Sequence, residues 1–220
     1  VYKATNLTNG NVMAVKEVKF PNSQSVANIG KVIKDEMTVL EMLEHPNIVH
    51  YFGVEVHSDK VYLFMEFCEL GSLGFLLRQG RIDEMMTKWY TLQMVEGLAY
   101  LHLNNIAHRD IKPENILLNR LGVIKFVDFG AAKVIAASGR TRAMTATLPG
   151  QAGVTGTPMY MSPESITGHG NDVLGSSDVW ALGCCVLEMA TGRRPWAKLD
   201  NEFAIMYHIA NGNKPQLPEE

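Results

Sequence analysis

The chain has 220 residues, enough to bury one large or two small cores, and its 46% hydrophobic content excludes wholesale disorder. A net charge of -3 gives no electrostatic reason to expect nucleic acid or an anionic membrane as partner. No apolar run approaches the roughly 18 residues that a membrane span needs, and Val1-Tyr2-Lys3 begins like the inside of a strand, without a signal-peptide pattern. The cysteines Cys68, Cys184 and Cys185 are odd in number and two are adjacent in an apolar stretch. They read as reduced, buried thiols of a cytosolic protein, and no Cys/His spacing suggests zinc.

In chain order, Val1 to Ala4 and Val12 to Lys19 read as strands around the turn Asn9-Gly10. Lys16 stands inside the second, apolar run and needs a partner there. From Asn28 to Glu44, Ile29, Val32, Ile33, Leu40 and Leu43 follow helical spacing, and Pro46 stops the helix. Ile48 to Val56 and Val61 to Phe67 read as two more strands around Ser58-Asp59. Gly71-Ser72-Leu73 opens a short helix that Gly80 would end. Asp83 caps a long helix to about Asn104, with Trp89, Leu92, Val95, Leu98 and Leu101 as the expected buried stripe.

The densest chemistry follows, in His108-Arg109-Asp110-Ile111-Lys112-Pro113-Glu114-Asn115. Two short strands, Ile116 to Leu118 and Val123 to Val127, lead to Asp128-Phe129-Gly130. Moving a phosphoryl group calls for these residue types: a carboxylate for the hydroxyl proton, a lysine near the developing charge, and oxygen ligands for magnesium. Ala131 to Met161 is long, rich in small and hydroxyl residues, and lacks apolar periodicity, so it reads as an irregular loop, functional or disordered. Ser162-Pro163-Glu164 closes it. Asp178-Val179-Trp180 starts a helix running to Gly192, and a short helix covers about Asn201 to Asn211.

On the string from His108 to Asn115 with Asp128-Phe129-Gly130 behind it, the chain resembles a eukaryotic protein kinase catalytic domain from Val1 to about Pro218. The resemblance implies an α+β fold of two lobes, with an antiparallel sheet and one helix in residues 1-66 and a larger, mostly helical lobe in residues 67-220. It implies ATP and Mg2+ as cofactors. Asp110 would accept the hydroxyl proton and Lys112 would steady the transferred phosphate. Lys16, paired with Glu36, would orient the nucleotide phosphates, and Asn115 and Asp128 would hold magnesium. Ala14, Met65, Glu66, Cys68, Ser72 and Leu117 would line the nucleotide site. Asp178 would tether the backbone at His108 and Arg109, and Thr157 would bond to Asp110 and Lys112.

Lys112 two residues after Asp110, and Thr157 before Pro158, resemble serine/threonine kinases. Ala14 to Val18, His45 to Val49 and Gly156 to Glu164 resemble kinases that phosphorylate MAP kinase kinases, with Met159-Tyr160-Met161-Ser162 nearest the fungal osmotic-stress branch. That implies a cytoplasmic enzyme with a MAP kinase kinase as substrate and an upstream activator acting through regions outside this chain. Ser162 departs from the alanine more common there. The family's glycine-rich loop would precede Val1 and the partner of Glu164 would follow Glu220, so the 220 residues alone are expected to be inactive. Arg109 is expected to grip a phosphorylated loop, with Thr155 the leading site and Thr145 and Thr147 behind it. Lys133 could join that grip. Three rival readings are a silent pseudokinase scaffold, a small-molecule phosphotransferase and a pure interaction module. The first predicts damage at Lys16, Asp110 or Asp128; the second lacks Ser162-Pro163-Glu164 and the helix at Asp178; the third leaves the magnesium ligands unexplained.

Overall fold

The computed structural model describes residues 1–19, 41–57, 60–128, 133–135, 141–143, 157–168 and 175–218, with Lys19, 133–135 and 141–143 described by backbone alone. The helix expected over Asn28 to Glu44, with Glu36, lies almost wholly outside these residues, as do Phe129, Gly130, Thr145, Thr147 and Thr155.

The first part of the chain is a four-stranded antiparallel sheet in the order β1-β2-β4-β3. Its strands are β1 (Tyr2–Thr5), β2 (Val12–Lys19), β3 (Tyr51–Val56) and β4 (Lys60–Glu66). Gly10, at φ 74°, takes the left-handed backbone that the β1–β2 turn needs. The expected third strand loses its first residues. Ile48 instead bridges in parallel to Phe126, Val49 N–H donates to Phe126 O at 3.0 Å, and Phe126 N–H donates to Asn47 O at 2.9 Å. That exchange stitches the entry to β3 onto the second half of the molecule.

Helices dominate that half: α1 (Leu73–Leu77), α2 (Glu84–Leu103), α3 (Pro163–Thr167), α4 (Ser176–Thr191) and α5 (Glu202–Ala210). Two small antiparallel sheets accompany them. One joins β5 (Gly71–Ser72), β7 (Ile116–Leu118) and β8 (Ile124–Phe126) in the order β5-β7-β8. The other joins β6 (Ile106–Ala107), β9 (Lys133–Ile135) and β10 (Thr141–Ala143) in the order β10-β9-β6. β9 and β10 fall in the stretch expected to be irregular. The pairing of β9 with β6 draws Lys133 opposite Ala107, next to the central stretch.

Asp83 caps α2 by accepting from Met86 N–H at 2.9 Å. The buried stripe keeps Leu98 and Leu101 of the expected one but not its first three members. Tyr90, Met94, Gly97, Leu98 and Leu101 are buried, while Trp89, Leu92 and Val95 are about half exposed (53%, 52% and 49%). The helix is apolar on more than one face, so spacing alone admitted two stripes. The side that packs is the one with Gly97, where a Cβ would come within 3.1 Å of the Phe126 ring. Only a residue without a side chain lets α2 lie this close to β8. Gln93 on the same helix is buried and joins Asn47 Nδ2 and Ile124 N–H through its Oε1.

Ser162 earns its place where alanine is more common. It is buried, its Oγ accepts from Ser165 N–H at 3.3 Å, and it caps α3 with Pro163 at the first helical position. α1 ends at Leu77 with Arg78 as its cap, short of Gly80. Gly192, left-handed at φ 67°, closes α4 by donating to Glu188 O. All three cysteines are free and buried, and burial pushes the Cys68 and Cys184 thiols up to about 12.

Candidate active site

The site grows from one buried carboxylate. Asp178 sits in the first turn of α4 and is 1% exposed. Its Oδ2 accepts from His108 N–H at 2.8 Å and from His102 Nε2 at 2.9 Å, and its Oδ1 accepts from Arg109 N–H at 2.7 Å. Burial pushes this carboxyl up, but His102, His108 and the two N–H donors outweigh it and hold the group below its usual range. Arg109 stands at φ 67°, left-handed for a residue with a side chain, and Asp128 at φ 63°. Such backbone costs energy and persists where surrounding bonds over-determine it, as Asp178 does here.

His108 is fully buried. Its Nε2 meets Val127 O at 3.0 Å and its Nδ1 accepts from Asp110 N–H at 3.3 Å. One neutral tautomer satisfies both contacts, and desolvation holds the ring below its ordinary pKa. Val127 N–H donates in turn to Asn115 O at 3.1 Å. Val127 thus ties the residue before Asp128 to both His108 and Asn115.

On this frame Asp110 Oδ2 accepts from Asn115 Nδ2 at 2.8 Å and pairs with Lys112 Nζ at 3.0 Å. Asn115 Nδ2 also donates to Asp110 O at 2.9 Å, so its amide nitrogen is committed and its oxygen is the atom left to offer a cation. Lys112 Nζ donates to Thr157 Oγ1 at 3.2 Å. Asp110, Lys112, Asn115 and Thr157, scattered over 48 positions from 110 to 157, therefore form one network.

From the four-stranded sheet comes Lys16, whose Nζ meets Asp128 Oδ1 at 2.5 Å. Both are partly exposed, at 33% and 40% of the side chain. The sequence assigned Lys16 to Glu36, which lies outside the described residues; the partner described is Asp128. An oxygen-only set of one carboxylate and one amide carbonyl suits a hard divalent cation, so Asn115 and Asp128 fit such an ion chemically.

The residues expected to line the nucleotide site fall into two cross-strand pairs. Ala14 pairs with Met65 across β2 and β4, and both are buried. Ser72 pairs with Leu117 across β5 and β7, and the Ser72 hydroxyl caps α1 by accepting from Phe75 N–H at 3.1 Å. Glu66 Oε2 pairs with Lys125 Nζ at 2.9 Å.

Two functional partners escaped the sequence. His102 belongs to no sequence motif, yet it holds Asp178. The signal available was its position on α2, just before the central stretch. Gly175 belongs to no motif. It is left-handed at φ 80°, and a Cβ there would lie 2.0 Å from the His102 ring. Glu164, expected to lack its partner, accepts from Ser176 Oγ at 3.0 Å.

The sequence matches the family described as "Protein kinase domain" over residues 1–217. It is 58% identical to the serine/threonine-protein kinase SSK22 of Saccharomyces cerevisiae, over 99% of this chain and 17% of that protein. It is 49% identical to the MAP kinase kinase kinase wis4 of Schizosaccharomyces pombe, over 100% of this chain and 16% of that one. It is 40% identical to the human mitogen-activated protein kinase kinase kinase 4, over 100% and 13%. The chain thus spans about a sixth of the length of these curated relatives. With an asparagine and two carboxylates brought together on the Asp178 frame, and with that match along almost its whole length, the chain belongs to the protein kinase domain family.

Proposed function

We propose that this chain is the catalytic domain of a serine/threonine kinase that transfers the terminal phosphoryl group of ATP to a MAP kinase kinase in a cytoplasmic stress cascade. Residues 1–66 form its nucleotide-covering lobe and residues 67–220 its substrate lobe. The observation that carries the reading is the network in which Asp110 meets both Lys112 and Asn115. The names of the relatives support the substrate class.

In this reading Asp110 turns Oδ1 to the substrate hydroxyl and takes its proton, while Oδ2 stays held by Lys112 and Asn115. Lys112, bonded to Thr157, stands where negative charge develops on the moving phosphate. Lys16 leaves Asp128 for the nucleotide phosphates, and Glu36 steadies it there. Asn115 Oδ1 and the Asp128 carboxylate would hold magnesium, which would neutralise charge on the phosphates. Ala14, Met65, Leu117 and the backbone at Glu66 and Cys68 receive the adenine, with Ser72 at the rim. A silent scaffold would have lost Lys16, Asp110 or Asp128, and all three are in place.

Switching falls to the loop before Thr157. Phosphate on Thr155, or on Thr145 or Thr147, is gripped by Arg109, with Lys133 beside it, under an upstream activator that works through other regions of the protein. A phosphate brings about -1.5 to -2 charges and roughly 1–3 charge-assisted hydrogen bonds, enough to order a loop. The test is phosphorylation of a panel of MAP kinase kinases by the full-length protein, with Thr155→Ala alongside. Transfer of phosphate to serine or threonine of one of them is the expected result, lost in Thr155→Ala only after activation. No transfer to any of them by activated protein removes the substrate class.

A further inference from the structure

Phosphoryl transfer leaves unused an ion pair that joins the two halves of the molecule behind the nucleotide site. Glu66 ends β4, and Lys125 lies in β8, in the other half. Lys125 is nearly dry, with 11% of its side chain exposed, and Glu66 keeps 26%. Their charged ends meet at 2.9 Å. The same carboxylate accepts from His50 N–H at 3.3 Å, while Glu66 N–H donates to His50 O at 2.9 Å. Glu66 is therefore gripped twice, by its backbone from β3's entry and by its side chain from β8.

The grip reaches both walls of the adenine site. Strand alternation sends Met65 and Glu66 to opposite faces of β4, so Glu66 can be held from behind while Met65 fills the core. On the other side Lys125 pairs across the strands with Leu117, and Leu117 pairs with Ser72. Directly opposed residues in an antiparallel pair share a face. Lys125 thus stands beside Leu117, the floor of the adenine site in this reading, while holding Glu66, whose backbone is the hinge at its edge.

We propose that Lys125 is a positioning residue for ATP, fixing the distance between the hinge backbone at Glu66 and the floor at Leu117 through its ion pair. This rests on the kinase reading. Removing one member of a nearly dry pair leaves the other charge unpaired, which the protein relieves by moving it toward water. For Glu66 that motion carries the hinge with it, so the loss falls on nucleotide affinity.

The test uses the full-length protein and a non-hydrolysable ATP analogue with magnesium, titrated by calorimetry, beside KM and kcat. Lys125→Met is expected to weaken analogue binding and raise KM for ATP about tenfold, with the change in kcat much the smaller. Lys125→Arg, which keeps the charge, restores most of the affinity. Glu66→Gln weakens binding as Lys125→Met does, and the double variant is no worse than the poorer single one, as residues acting as a pair should behave. Analogue affinity unchanged in Lys125→Met, with only thermal stability lowered, overturns the proposal and leaves a structural brace. Should Lys125→Met fail to fold, unchanged affinity in Glu66→Gln overturns it equally. Wild type that binds the analogue yet phosphorylates nothing brings down the kinase reading alone.

Discussion

Asp110 and Lys16 serve one expected reaction from two differently built regions. Asp110 belongs to a stretch whose backbone hangs on a carboxylate that is 1% exposed, flanked by a fully buried histidine. Its own oxygen accepts two donors from residues two and five positions on. Lys16 lies on a sheet whose first strand is mostly exposed, and its ammonium makes a partly exposed pair with Asp128. The difference teaches a division of labour. On the proposed reading, the proton acceptor is held by redundant bonds and keeps its geometry before any substrate arrives. On the same reading, Lys16 is held by a pair that must open to reach the nucleotide, so it is the adjustable half of the site.

That contrast is broken most directly at Asp110. Asp110→Asn keeps the shape and still accepts from Lys112 and Asn115, but it cannot take up the proton. Turnover of the full-length enzyme should fall by about 10³-fold or more, with analogue binding within a few-fold of wild type. Near-normal turnover would assign the proton to another group.

Lys16→Met is the matching cut on the other side. Turnover should drop by about 10²-fold, since one positioned charge of this kind is worth several kcal/mol in a transition state. Circular dichroism should be unchanged, because a partly exposed ammonium holds little of the sheet together. Unfolding of this variant would make Lys16 structural and erase the contrast.

Asp178→Asn probes the frame itself. Three donors converge on the carboxylate, and an amide must turn its NH2 against one of them. Bonds to a charged group are worth about 1.5–3 kcal/mol each, so a loss of about 2–4 kcal/mol is expected in urea unfolding. Turnover should fall as well, because the left-handed backbone at Arg109 loses what pins it. Stability and turnover both unchanged would show that the frame does not depend on this group.

The mildest probe is pH. The buried His108 ring binds protons less readily folded than unfolded. Its contribution is complete above the unfolded value of 6.5 and is lost as pH falls below it toward the lower folded value. Stability should decline on acidification from that point, by no more than about 1.4 kcal/mol per pH unit for one proton. His108→Gln should flatten the decline measured by urea midpoints between neutral and mildly acid buffer. An equal slope in both proteins would place the titration elsewhere.

Where local chemistry decides the outcome, the residues alone revealed it. The Asn9-Gly10 turn, the Asp83 cap and the two strands around Asn119 to Gly122 follow from short-range preferences, and they appear where the spacing put them. The grouping of Asp110, Lys112 and Asn115 was legible because six residues of chain carry all three. Contacts between distant parts were not. Trp89 and Tyr90 are both plausible core residues on a helix that is apolar all round, and only the approach of Phe126 to Gly97 selects the second. Nothing in the sequence singles out Lys125, because its partner stands 59 positions earlier. β6 and β9 are too short to register as a pattern, and their pairing comes from the fold around them.

Gly175 shows how far the catalytic frame extends beyond the residues that do chemistry. A methyl group there would occupy the space of the His102 ring, on a backbone that resists any side chain. Displacing the ring frees one lone pair of Asp178, two bonds away from the Asp110 backbone. In a genetic screen, an alanine allele at this position would score as kinase-dead while every reacting group kept its wild-type identity. Sorting loss-of-function alleles of this protein by distance along the chain from Asp110 would therefore misfile it among the merely unstable ones.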